Sequence, residues 1–148
     1  MLKIKGIDIS RAQEKFDFDA AVKAGVKFVI IRAGIRTDED TYFRHNLSEC
    51  LRKNIPYGLY WYFEATTDTA FEEELAACKK AVQGLKPAYP VFFDAEEQIQ
   101  IDKLTNYYDK SRLADVDIWL AHWTESPDYL SRFDYGQKMW QWGIDSIA

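Results

Sequence analysis

Apolar and polar positions follow two rhythms along this chain, and the rhythms take turns. Residues 4–9 alternate with a period of two and predict a short strand, with Asp8 near its end. Residues 18–24 change to helical spacing through Phe18, Ala21 and Val22, with Asp17 or Asp19 near the start and Gly25 past the end. Residues 28–34 are an apolar, β-branched run of the kind buried in parallel sheets. Residues 38–40 read as a polar loop. Residues 42–53 predict a helix with Phe43, Leu47, Cys50 and Leu51 on one face, and Pro56 comes after it. An aromatic-rich strand is expected at 57–63 and a helix at 69–84. In that helix the run Glu72-Glu73-Glu74 reads as a solvated first turn favoured by the helix dipole. Further strands are expected at 90–96, 117–123 and 138–142.

Strands alternating with helices of about a dozen residues imply βα units and a parallel sheet. Each of the first four strands ends in a polar residue: Asp8, Arg32, Tyr62, and the pair Asp94 with Glu96. Parallel α/β folds place their sites at the C-terminal ends of strands. Four ends serving one place favour a closed barrel over an open sheet. The turn Ile9-Ser10-Arg11-Ala12 has no glycine, which argues against a dinucleotide-binding loop.

The fourth strand carries the candidate chemistry. In Val91-Phe92-Phe93-Asp94-Ala95-Glu96-Glu97 an apolar run ends in acids. Residues two apart on a strand share a face, so Asp94 and Glu96 project together and Glu97 projects away. Two adjacent carboxylates at a strand end are the equipment for hydrolysing a glycosidic bond. The plainer alternative is a strand that ends in solvated acids. By the same parity Arg32 shares the face of Ile30, and Tyr60 and Tyr62 turn inward with Gly58 while Trp61 faces the helices.

Composition narrows the partners. The 148 residues suit one domain, residues 1–148, and 47% hydrophobic content suits a folded globule. Aromatics at 16% are core material and also platforms for sugar rings. A net charge of −5 without a basic cluster argues against nucleic acid. Cys50 and Cys78 read as buried free thiols. His45 and His122 lack metal-ligand spacing, so no metal or cofactor is expected. No run is long enough to span a membrane. The start, Met1-Leu2-Lys3-Ile4-Lys5-Gly6, lacks the apolar stretch of a signal peptide. Either the protein is made in a cytoplasm or an export signal has been removed.

Seven ordered blocks resemble one family. They are Lys5-Gly6-Ile7-Asp8-Ile9-Ser10, the run from Ala24 through Phe28-Val29-Ile30-Ile31-Arg32 to Gly34, Asp40-Thr41-Tyr42-Phe43-Arg44-His45-Asn46, Ile55-Pro56-Tyr57-Gly58-Leu59-Tyr60-Trp61-Tyr62, Tyr89-Pro90-Val91-Phe92-Phe93-Asp94-Ala95-Glu96, Asp117-Ile118-Trp119-Leu120-Ala121-His122-Trp123 and Met139-Trp140-Gln141-Trp142. Together they resemble the lysozymes of glycoside hydrolase family 25, the muramidases of bacteria and phages. The resemblance implies a TIM-like (β/α) barrel acting on the cell wall. Its reaction would be cleavage of the β-1,4 bond between N-acetylmuramic acid and N-acetylglucosamine in the glycan strands of peptidoglycan. Glu96 would be the general acid. Asp94 would stay ionised, stabilising the transition state or assisting attack, and Asp8 would hold the substrate or a water. Arg32, Tyr60, Tyr62, Trp123 and Gln141 are candidates for substrate binding. Asp8 as a turn cap and Arg32 as a structural ion-pair partner are the plainer alternatives.

The chain also departs from the family. Gln98 to Thr105 joins directly two regions that the family separates by a helix and a strand, and the family's last strand has no counterpart. The expected barrel is therefore irregular, missing one internal βα unit and the final strand. A full barrel takes about 250 residues. A shortened variant, a piece completed by a partner such as a second copy, and segments absent from this chain all account for the difference. Open sheet edges would allow self-association. Three other functions stay open: a peptidoglycan-binding module with impaired catalysis, an interaction or assembly piece that pairs through its open edges, and a different sugar hydrolase on a similar barrel. Retaining and inverting outcomes are both open, since carboxyls at i and i+2 can meet the separation of either, about 5 or about 8 Å.

Overall fold

The structure is a computed structural model that describes residues 4–95, 117–121 and 139–141, with the last two segments and Ala95 described as backbone. Six parallel strands form one sheet: β1 (Gly6–Ile9), β2 (Phe28–Ile35), β4 (Tyr57–Tyr62), β5 (Val91–Ala95), β6 (Asp117–Ala121) and β7 (Met139–Gln141). They lie side by side in chain order. A two-residue strand β3 (Asp38–Glu39) folds back antiparallel on β2. Among the described residues no pairing joins β1 to β7, so the sheet is open there.

Helices α1 (Phe18–Lys23), α2 (Phe43–Lys53) and α3 (Asp68–Val82) supply three of the crossovers. Asp17 caps α1 by accepting the Ala20 N–H at 2.9 Å, and Thr67 caps α3 by accepting that of Ala70 at 3.2 Å. Such caps satisfy donors that have no partner inside the helix. Gly25 lies just past α1 at φ 89°, a left-handed conformation that favours glycine.

Strand parity divides the buried residues into two clusters. Ile9, Val29, Ile31, Ala33, Leu59, Trp61, Phe63 and Phe93 join Phe18, Phe43, Leu47, Cys50, Phe71, Leu75 and Cys78 of the helices in the main core. Phe63 anchors it, edge-on to Phe93 with ring centres 4.5 Å apart. The other sheet face holds a smaller cluster of Ile30, Tyr60 and Phe92, with Phe28 and Tyr89 against it. Both cysteines are free and buried, and burial pushes each thiol up to about 12.

Several local expectations need correction. The first strand begins at Gly6, and Ile4 is exposed. Val22 and Leu51, expected on buried helix faces, are exposed. Helix α1 is only six residues long and α2 buries a narrow stripe, so neither covers its whole apolar arc. The expected polar loop contains β3, and its Asp40 is buried. The acidic run of α3 is not uniformly solvated. Glu74 is buried and accepts the Glu64 N–H at 3.1 Å, because it sits on the helix face turned toward the loop after β4.

Candidate active site

The sheet face opposite the helices gathers Asp8, Arg32, Tyr60, Tyr62 and Asp94. Register fixes this. Asp8 pairs with Ile30 and Ile30 with Gly58; Arg32 pairs with Tyr60 and Tyr60 with Phe92; Tyr62 pairs with Asp94. Residues paired across parallel strands project to the same side, and neighbouring strands lie about 4.8 Å apart. The polar residues occupy the C-terminal halves of four adjacent strands, beside the small apolar cluster on the same face. Trp61 lies one residue out of phase, fully buried on the helix side.

A bulge sharpens the geometry. The β2–β4 register slips between Arg32 and Gly34, leaving Ala33 as the extra residue. A bulge kinks a strand and re-aims the residues beyond it. Past this one, Gly34 pairs with Trp61, and the Trp61 indole N–H donates to the Arg36 carbonyl at 2.9 Å. The chain then turns through Arg36 and returns along β3. The Asp40 N–H donates to the Ala33 carbonyl at 2.9 Å, which brings Asp40 beside Arg32.

Electrostatically the site centres on Tyr60, which is 6% exposed. Burial is the largest cause raising its hydroxyl pKa. Asp8, Asp94 and Asp40 raise it further, and Arg32 opposes them. The phenol therefore stays protonated. Asp8 lies on the same face near the end of β1. Its residue is open to solvent, yet the protein packed around its carboxyl raises the pKa, while its own backbone N–H lowers it. Asp94 is buried at 5% exposure. The turn after β1 is capped by Ser10 with Gln13: the Ser10 oxygen accepts the Ala12 N–H, and Gln13 accepts the Ser10 N–H.

Arg32 is an ion-pair partner, its Nε donating to Asp40 Oδ2 at 2.7 Å. Sequence reasoning misses Asp40 as a site residue. The signal for it is an inward-facing arginine on a buried strand, which needs an anion close by. Glu96 and Trp123 lie outside the described residues. Gln141 is placed by its backbone at the end of β7, paired with Ala121. No group of three or more His, Cys, Asp or Glu that could hold a metal occurs among the described residues.

The family model of the glycosyl hydrolases of family 25 matches residues 7–106. No curated protein matches the chain. Among solved structures, the modular autolysin LytC of Streptococcus pneumoniae is similar at 24% identity and TM-score 0.65, over 79% of this chain and 32% of that one. A family 25 glycosyl hydrolase of Bacillus anthracis is similar at 20% identity and TM-score 0.64, over 95% and 70%. A family 25 lysozyme of Aspergillus fumigatus is similar at 19% identity and TM-score 0.70, over 93% and 85%. These likenesses are of fold. The chain spans about a third of the LytC chain.

Proposed function

The chain belongs to the glycosyl hydrolases of family 25, and on that premise we propose that it hydrolyses peptidoglycan at the β-1,4 bond between N-acetylmuramic acid and N-acetylglucosamine. The observation that carries the reading is the convergence of Asp8, Arg32, Tyr60, Tyr62 and Asp94 on one sheet face at the strand ends. The family match spans all five and Glu96 as well. A further support is LytC, which has been solved with a synthetic peptidoglycan ligand.

In this mechanism Glu96 protonates the leaving oxygen. Asp94 stays ionised and faces the positive charge that grows on the sugar ring. Tyr60 and Arg32 donate hydrogen bonds to sugar oxygens, Tyr62 lines the cleft, and Asp8 orients the substrate or a water. Trp123 offers a stacking surface and Gln141 a hydrogen-bonding amide. The consecutive parallel strand order supports a reduced (β/α) barrel, the family match supports action on the cell wall, and the edges of β1 and β7, unpaired among the described residues, would allow copies to associate.

The test compares the chain with Glu96→Gln on purified peptidoglycan, reading new reducing ends. Release by the chain and none by the variant supports the proposal. Equal release by both moves the acid elsewhere. Cleavage of chitin oligomers without cleavage of peptidoglycan indicates a different sugar hydrolase. No release, with both proteins sedimenting with the wall, indicates a binding module.

A further inference from the structure

Asp40 has more hydrogen bonds than a loop acid needs. Its side chain has no exposed surface, and three elements meet on it. Oδ2 accepts the Arg32 Nε–H from β2 at 2.7 Å and the Arg11 N–H from the turn after β1 at 3.2 Å. Oδ1 accepts the Tyr42 N–H at the entry to α2 at 2.9 Å. The two backbone donors are neutral, and an uncharged amide oxygen would serve each of them. Only Arg32 requires the charge.

A buried ion pair is weak evidence for stability, because desolvation offsets much of the attraction. Its geometry is more informative. Asp40 holds the guanidinium by Nε alone. Among the described residues neither Nη group of Arg32 makes a hydrogen bond. An arginine held by its inner nitrogen keeps its outer fork for a planar oxygen ligand. The electrostatic influence of both Arg32 and Asp40 reaches the Tyr60 hydroxyl, which places the pair at the cleft.

We propose that Asp40 is a positioning residue acting through Arg32, holding the guanidinium so that its Nη groups bind an oxygen of the glycan substrate. The substrate oxygen of this chemistry is a carboxylate, acetamido carbonyl or ring hydroxyl. The inference rests on the glycan-hydrolase reading. Asp40 touches no reacting atom. It fixes the direction of a group that binds the substrate.

The test is a double-mutant cycle of Asp40→Asn, Arg32→Gln and the pair, read as both Kd and kcat/KM for soluble peptidoglycan fragments. Values are normalised to the folded fraction by circular dichroism. Asp40→Asn removes the charge and keeps one oxygen, enough for the Tyr42 or the Arg11 N–H but not both, and that backbone loss is common to the two backgrounds of the cycle. In the presence of Arg32 it is expected to weaken both parameters about ten- to a hundredfold. In the Arg32→Gln background it should change them less than about twofold, because the group it positions is gone. The Arg32 Nε–H resonance is expected downfield and slow to exchange in the unmodified chain, and it should move in Asp40→Asn.

Equal losses in the two backgrounds would overturn the proposal and leave Asp40 a structural cap. An unmoved Nε–H resonance would overturn it as well. If the unmodified chain releases no reducing ends, the hydrolase reading fails separately. The Kd cycle then decides the positioning role alone, with additive or absent effects on Kd counting against it.

Discussion

Tyr62 and Asp94 stand directly opposite each other across the β4–β5 ladder, and the next residue, Phe63, donates its N–H to the Asp94 carbonyl at 3.0 Å. The acid's backbone is thus clamped to the neighbouring strand at the point where its side chain meets the cleft. Asp94→Asn leaves that clamp intact, since the bond is to main chain. Reducing-end release should fall about 10²- to 10⁴-fold with the circular dichroism spectrum unchanged. A variant with near-normal turnover would remove Asp94 from the machinery.

Glu74 gives a pH dependence whose sign can be worked out. Burial is the first cause raising its pKa above the ordinary 4.5, and hydrogen bonds from Glu64 and Ala65 N–H groups lower it in part. The folded chain therefore binds this proton more tightly than the unfolded chain does. The stabilising contribution is complete below 4.5 and is lost as pH rises through the raised value. Glu74→Gln lacks this titration. Its Tm relative to the unmodified chain should rise between about pH 4 and about pH 8. A flat difference would show that Glu74 titrates as it does in the unfolded chain.

Gly58 sits on the cleft side of β4, where a Cβ would come within 2.7 Å of Ile30 Cδ1 and 2.9 Å of Tyr89 Cβ. Both distances are shorter than van der Waals contact. Gly58→Ala should cost about 1–3 kcal/mol by overpacking the small cluster beneath the site. Chemical denaturation measures it. No loss would mean that Ile30 and Tyr89 yield freely.

Trp61→Phe tests the opposite face. The indole is fully buried and holds the Arg36 carbonyl. Removing it creates a cavity and takes away the carbonyl's donor, a loss of about 1–3 kcal/mol. Turnover per folded molecule should be unchanged. A selective loss of turnover would tie the Arg36 turn to the cleft.

Much of this site can be read in period-two patterning. That pattern alone puts Arg32, Tyr60, Tyr62 and Asp94 on one side and Trp61 on the other, because in a sheet buried on both faces a side chain has only two directions to take. Helix exposure is harder to read. Val22 and Leu51 fit an apolar stripe in sequence, yet both are exposed, since a stripe does not say how wide an arc of its helix is packed. Buried acids are hidden for another reason. Asp40 and Glu74 look like surface residues among other acids, and each meets a partner on another element: the Arg32 guanidinium of β2 for one, the Glu64 N–H of the loop after β4 for the other. The bulge at Ala33 leaves no trace in composition, since it depends on two strands pairing out of step.

The neighbour-to-neighbour order of the parallel strands bears on how the chain is made. Each new strand emerging from the ribosome meets its partner already in place, so assembly can proceed from the N-terminus by accretion. Each pairing then closes a single crossover, so no step has to close a loop longer than one strand-to-strand connection. Among the described strands β1 stays one edge throughout, and the other edge is the newest strand until the next one pairs with it.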